Sequence, residues 1–73
     1  MKKIASRVAL KFGKTIASKR KVLDISQESL STKAGVHRTY IGMVERGEKN
    51  VTIETVAKFA KAFKVKSKDL IDF

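Results

Sequence analysis

Apolar side chains recur along this chain at helical spacing, and no segment shows a strand-like alternation of useful length. Ile4, Val8, Phe12 and Ile16 fall four apart, and Ala5, Ala9 and Ala17 widen the stripe. This predicts a first helix from about Ser6 to Lys21. Leu30 and Ala34 mark a second, Gln27 to Ala34, headed by Ser26 as N-cap and ended by Gly35, which supplies a positive φ. Ile41 and Val44 mark a third, Arg38 to Arg46, with Gly47 just beyond its end, and they should face Leu30, Ala34 and Val36. Ile53, Val56, Ala60 and Phe63 share one face of a fourth, Ile53 to Phe63, which Phe59 widens and Thr52 caps. Ser67 is placed to cap a last turn, Lys68 to Ile71, whose Leu70 and Ile71 would close the core. Between the first two helices Asp24 is expected to take the left-handed turn that Gly often makes, because a short polar side chain tolerates it. The pattern as a whole predicts an all-α, compact five-helix fold, with no internal repeat and no linker.

Composition narrows what such a fold can do. Seventy-three residues make one domain, 1–73, with room for a single core, and a hydrophobic content of 42% is too high for a disordered tail. The chain has no Cys and one His, so disulfides, Cys-based zinc sites and a His cluster are excluded. No nucleophile–base constellation, metal cluster or phosphate-cradling Gly loop appears, so we expect no enzymatic activity, no metal, no cofactor and no small-molecule ligand. No apolar run approaches the ~20 residues of a membrane span. Met1-Lys2-Lys3 lacks the apolar segment and cleavage site of a signal peptide. The expected location is therefore the cytoplasm. Seventeen basic against seven acidic residues give a net charge of +10, which favours a polyanionic partner. Residues 1–23 carry Lys2, Lys3, Arg7, Lys11, Lys14, Lys19, Arg20 and Lys21 and no acid; those at the end of the first helix also suit its dipole.

Charge becomes specific in the segment Ser26 to Gly47, SQESLSTKAGVHRTYIGMVERG. Two short helices joined at Gly35 and Val36, with small residues Ser31, Ala34 and Gly35 where they cross, can present the second helix to the DNA major groove. Its outer side would carry Arg38, Thr39, Gly42 and Met43. Arg can grip guanine O6 and N7 bidentately, and Thr can bond a base edge or touch a thymine methyl. Gly42 costs roughly 1 kcal/mol of helix propensity relative to Ala, and it reads either as room for DNA to approach or as a tolerated surface position. Tyr40 reads as a contact to DNA or as cover for the core edge, Met43 as a base contact or as part of the core. His37, just before the helix, reads as a capping or phosphate-contacting residue.

Ser26-Gln27, Leu30, Ala34-Gly35-Val36, Ile41 and Glu45-Arg46-Gly47 resemble the helix-turn-helix of the lambdoid phage repressor and Cro (XRE-like) family. The HRTYI and ERG stretches are also similar to restriction–modification controller proteins. The likeness spans about Phe12 to Ile71. It implies a repressor-like domain that binds operator DNA as a dimer. By position it implies base contacts from Arg38, Thr39 and Met43, and backbone contacts from Gln27, His37, Tyr40, Arg46, Lys49 and Asn50. Gln27 would also brace the recognition helix with its side-chain amide, and Arg20 and Glu45 would form an ion pair tying the first helix to the third. The chain departs from the family pattern at Ser31 for a common Ala, at Asp24 for a turn Gly, and at Lys64, where Gly often ends the fourth helix. The expectation is thus a sequence-specific transcriptional regulator of double-stranded DNA. It would be a homodimer joined through Phe63 to Phe73, located with the bacterial or phage DNA, with RNA polymerase a further candidate partner. Two rival readings are an antitoxin or adaptor whose helix pair binds a protein, and a basic domain whose first helix lies on anionic lipid or RNA. The latter conflicts with that helix's need to bury its apolar stripe.

Overall fold

A computed structural model of the chain describes residues 6–71. Among these, the backbone holds four α-helices, one 3-10 turn and no strand. The helices are α1, Arg7–Val22; α2, Gln27–Ala34; α3, Arg38–Glu45; and α4, Ile53–Phe63. The all-helical class stands, but the expected fifth helix is the single 3-10 turn Ser67–Asp69. Its amides reach back only three residues, Asp69 to the Lys66 carbonyl and Leu70 to that of Ser67, both at 2.9 Å, because the chain must bend at once to bury Leu70. Ser67 does not cap this turn. Lys66 precedes it, and the Asp69 carboxylate accepts the Lys66 N–H at 3.1 Å.

Each α-helix starts on a side chain that accepts a free backbone N–H. Ser6 accepts from Ala9 at 2.9 Å, Ser26 from Ser29 at 2.9 Å and Thr52 from Thr55 at 3.1 Å. α3 is capped by the imidazole of His37, whose Nδ1 accepts the Thr39 N–H at 3.1 Å. The helix ends are equally defined. Asp24, Gly35, Gly47 and Lys64 all take left-handed backbone, with φ of 56°, 72°, 76° and 61°. Around three of them the carbonyls of the last turn are closed by paired bonds, such as Ile25 N–H to Arg20 and Asp24 N–H to Lys21. Asp24 and Lys64 do this without being Gly, so each carries strain that Gly would not.

The core joins Phe12 and Ile16 of α1 to Leu30 and Ala34 of α2, Ile41 and Val44 of α3, Val56, Phe59, Ala60 and Phe63 of α4, and Leu70. α3 packs on α1 and α2, and α4 on α2 and the 3-10 turn. Phe12 and Phe59 meet edge to face, with centroids 6.0 Å apart. Three expected core residues lie outside it. Val8 is 53% exposed because a step of four overshoots a helical turn by about 40°, so a stripe of fours rotates away. The face that is buried in α1 is instead Ala9, Phe12, Gly13 and Ile16. Ile53, 88% exposed, heads α4 before its packed set of Val56, Phe59, Ala60 and Phe63 begins. Ile71 is exposed just past Leu70, where the chain leaves the core. Ile4, Ala5 and Phe73, also named above, lie outside the described residues.

Candidate nucleic-acid interface

α3 is held by its apolar face, and this decides which side chains remain outside. Ile41 and Val44 are fully buried, Tyr40 is half-buried against the core, and Met43 is half-buried. Arg38 and Thr39 are exposed at the N-terminal end, beside the exposed cap His37. With Nδ1 engaged in the cap, Nε2 is the ring nitrogen left for a further partner. The capping expectation for His37 is met.

Charged groups fix the other end of α3. Arg20 donates from Nε and Nη2 to the two oxygens of Glu45, at 2.7 and 3.1 Å, and from Nη1 to the Ile25 carbonyl at 2.9 Å. Gln27 adds a bond from Nε2 to the same carboxylate at 2.9 Å. Four elements therefore converge on the Arg20–Glu45 pair: α1, the turn after it, the start of α2 and the end of α3. The side chains of Arg20 and Glu45 are only 14% and 8% exposed, and the hydrogen bonds from Arg20 to Glu45 hold the guanidinium above its ordinary pKa. Among the described residues no buried side-chain polar atom lacks a partner. The expected ion pair and the Gln27 brace are both present. What the sequence left unseen is that they share one carboxylate, so that tilting α3 would break three hydrogen bonds at once.

The helices approach closely here. A Cβ placed on Gly13 would lie 2.2 Å from the Val44 carbonyl oxygen and 2.9 Å from that of Glu45. The absence of a side chain at 13 is what lets α1 lie against the end of α3. A Gly in mid-helix was the available signal, since it weakens the helix unless another backbone needs its space.

Gly42 departs from the surface reading offered by the sequence. It is buried rather than on the outer side. A methyl there would sit 3.2 Å from Nη1 of Arg46 and 3.7 Å from Oε1 of Gln27, so these two side chains cover it. Arg46, expected inside α3, is instead its C-cap. It forks onto Glu48, Nε to Oε2 at 2.7 Å and Nη2 to Oε1 at 3.1 Å. The hydrogen bonds from Arg46 hold the Glu48 carboxyl below its ordinary value, and reciprocally Glu48 raises Arg46. Sequence reasoning missed Glu48, because residues two apart do not face each other on a helix. Only the left-handed Gly47 between them brings them together. Lys49 and Asn50 follow, exposed. Gln27, Gly42 and Arg46 are thus neighbours, with Arg38, Thr39 and Met43 on the helix that they brace.

No group of three His, Cys, Asp or Glu able to hold a metal occurs among the described residues, and no helix among them is long and apolar enough to cross a membrane.

A short capped helix pair with a polar recognition end defines a class, and the chain belongs to it: residues 16–70 match the helix-turn-helix family. Within that class its likeness is to restriction–modification controllers. It is 38% identical to the control protein C.BamHI of Bacillus amyloliquefaciens, over 96% of this chain and 88% of that protein. It is 51% identical to the control protein C.SmaI of Serratia marcescens, over 64% of this chain and 56% of the relative. The crystal structure of the restriction–modification controller C.AhdI from Aeromonas hydrophila superposes with a TM-score of 0.82 at 35% identity. That alignment covers 85% of this chain and 94% of the other.

Proposed function

We propose that this chain is a controller-type transcriptional regulator that binds double-stranded DNA with α3 in the major groove. The observation that carries the reading is the division of α3: Ile41 and Val44 are sealed in the core while Arg38 and Thr39 stand exposed at its N-terminal end. In this reading Arg38, Thr39 and Met43 read bases. Gln27, His37, Tyr40, Arg46, Lys49 and Asn50 set the register on the phosphates. The network on Glu45 holds α3 at a fixed angle, and the net charge of +10 supplies affinity that falls with salt.

The protein acts as a homodimer on a roughly palindromic operator, with half-sites about 34 Å apart. An open apolar groove lined by Val22, Leu23, Phe63 and Val65 supports pairing through the C-terminal region. The site of action is the bacterial cytoplasm, where the DNA is, and RNA polymerase is the further partner that a regulator bound beside a promoter would meet.

Selection from random duplex DNA, repeated at two salt concentrations, yields the motif, its symmetry and the number of phosphates engaged. Arg38→Ala should then lose preference at one or two defined positions in each half-site, worth about 1–3 kcal/mol. Full retention of preference by that variant would reject direct readout by Arg38. Copurification with a protein partner, together with no salt-sensitive DNA binding, would replace this reading with the antitoxin or adaptor one.

A further inference from the structure

Arg46 is held by Glu48. The fork of Nε and Nη2 lies on Glu48 at 2.7 and 3.1 Å, and Nη1 lies over Gly42 beside Gln27. The edge engaged by Glu48 is one that forks equally well onto a phosphate. The pairing is built into the backbone. Gly47, at φ 76°, folds the chain back on itself, and the Glu48 N–H is anchored to the Met43 carbonyl at 2.9 Å. Gly47 is itself fixed, since a Cβ there would lie 2.5 Å from the Leu10 side chain. The carboxylate is thereby aimed at Arg46, on the surface, with both side chains about half exposed.

An acidic residue here runs against the charge of its surroundings. It sits between Arg46 and Lys49 in a chain of net charge +10. Contribution to folding does not account for it, because an exposed pair of this kind adds little to stability. The position matters for what Arg46 can do: while the fork is closed, its phosphate-binding edge is occupied.

We propose that Glu48 is an internal stand-in for phosphate, which holds Arg46 until DNA arrives and is exchanged for a backbone phosphate on docking. The proposal rests on the reading of Arg46 as a phosphate contact. The exchange lowers affinity for every duplex alike, since phosphates carry no sequence, and leaves discrimination to α3. In a small, strongly basic protein this restrains non-specific binding without touching the bases read. Glu48 is therefore a positioning residue that acts through Arg46.

The test compares Glu48→Gln, Arg46→Gln, the double variant and Glu54→Gln, which removes an equal charge from the exposed start of α4. Affinity is measured for the selected duplex and for a random-sequence duplex of the same length, at several salt concentrations, with melting curves to show that each protein is folded. Glu48→Gln should tighten both duplexes by a similar factor, about two- to five-fold near physiological salt. Its plot of log affinity against log salt should steepen by up to about one. Glu54→Gln should do less, and Glu48→Gln should do no more than Glu54→Gln once Arg46 is Gln. If Arg46→Gln weakens binding but Glu48→Gln tightens it no more than Glu54→Gln, the exchange is wrong and Arg46 still grips phosphate. If Arg46→Gln leaves affinity and salt slope unchanged, the phosphate role of Arg46 falls, and the exchange with it.

Discussion

Gly13→Ala should destabilise the protein, although on an ordinary helix the same change stabilises. The added Cβ would lie 2.2 Å from the Val44 carbonyl oxygen and 2.9 Å from that of Glu45. Both are backbone atoms of α3, so no rotamer change can clear them. Relief requires α1 and α3 to part by roughly 1 Å, and a gap of that size forfeits a quarter to a half of the contact energy of the atoms lining it. The seam that would open is formed by Phe12, Ile16 and Val44, each 3% exposed or less. Overpacking of this type costs about 1–3 kcal/mol, occasionally more, and Ala returns roughly 1 kcal/mol through helix propensity. The net loss is about 0–2 kcal/mol, or a fall in Tm of up to roughly 15 °C for a domain of this size. Thermal melts by circular dichroism measure it directly. Gly42→Ala is the matched comparison, because its nearest neighbour is the tip of a flexible side chain, Arg46 Nη1 at 3.2 Å. It should raise stability by about 0.5–1 kcal/mol. A Tm for Gly13→Ala at or above the wild-type value would refute the close approach of α1 and α3.

Three further outcomes are expected. Arg20→Met or Glu45→Gln should each cost about 2–4 kcal/mol by chemical denaturation, because each leaves a poorly solvated partner unsatisfied; a double-mutant cycle should show coupling of about 1–3 kcal/mol. Lys64→Gly should gain about 0.5–1 kcal/mol by relieving its left-handed backbone, and Asp24→Gly less, since Asp tolerates that region better; equal gains would put the strain argument in error. In an NMR titration the Glu48 carboxyl should ionise below the ordinary glutamate value of 4.5 and move back up in Arg46→Gln. A carboxyl lowered in the folded state stabilises above its unfolded pKa, so the small contribution of this pair is present at neutral pH and lost as pH falls through the lowered value.

The features legible in the sequence are those whose cause is local. Ser26 and Thr52 cap their helices because a hydroxyl at that position meets a free N–H wherever the chain goes next. Asp24, Gly35 and Gly47 end helices because few residues take left-handed backbone, and the deviation of Lys64 at a position where Gly is usual marked the same geometry. Leu30, Ile41, Val44, Phe59 and Phe63 were placed in the core by period alone. Period failed at Val8 and Ile53, which lie on a helix but off its packed face, and at Ile71, beyond the last turn; all three are exposed.

The site divides in the same way. The exposed placement of Arg38 and Thr39 followed from sequence, because their neighbours Ile41 and Val44 had to be inside. The pairing of Arg20 with Glu45, 25 residues apart, was implied only by resemblance to a family, since no local rule links such residues. That Gln27 shares the same carboxylate, that Gly13 makes room for the α3 backbone, that Arg46 covers Gly42 and that Glu48 occupies Arg46 were decided by tertiary structure. Each depends on the distance between elements, and helix periodicity carries direction but no distance. By itself the sequence determined where α2 and α3 begin and that Arg38 and Thr39 at the start of α3 are free. The tertiary structure decided how firmly α3 is held and which of its cations is already engaged, because both are set by side chains that meet only when the helices pack.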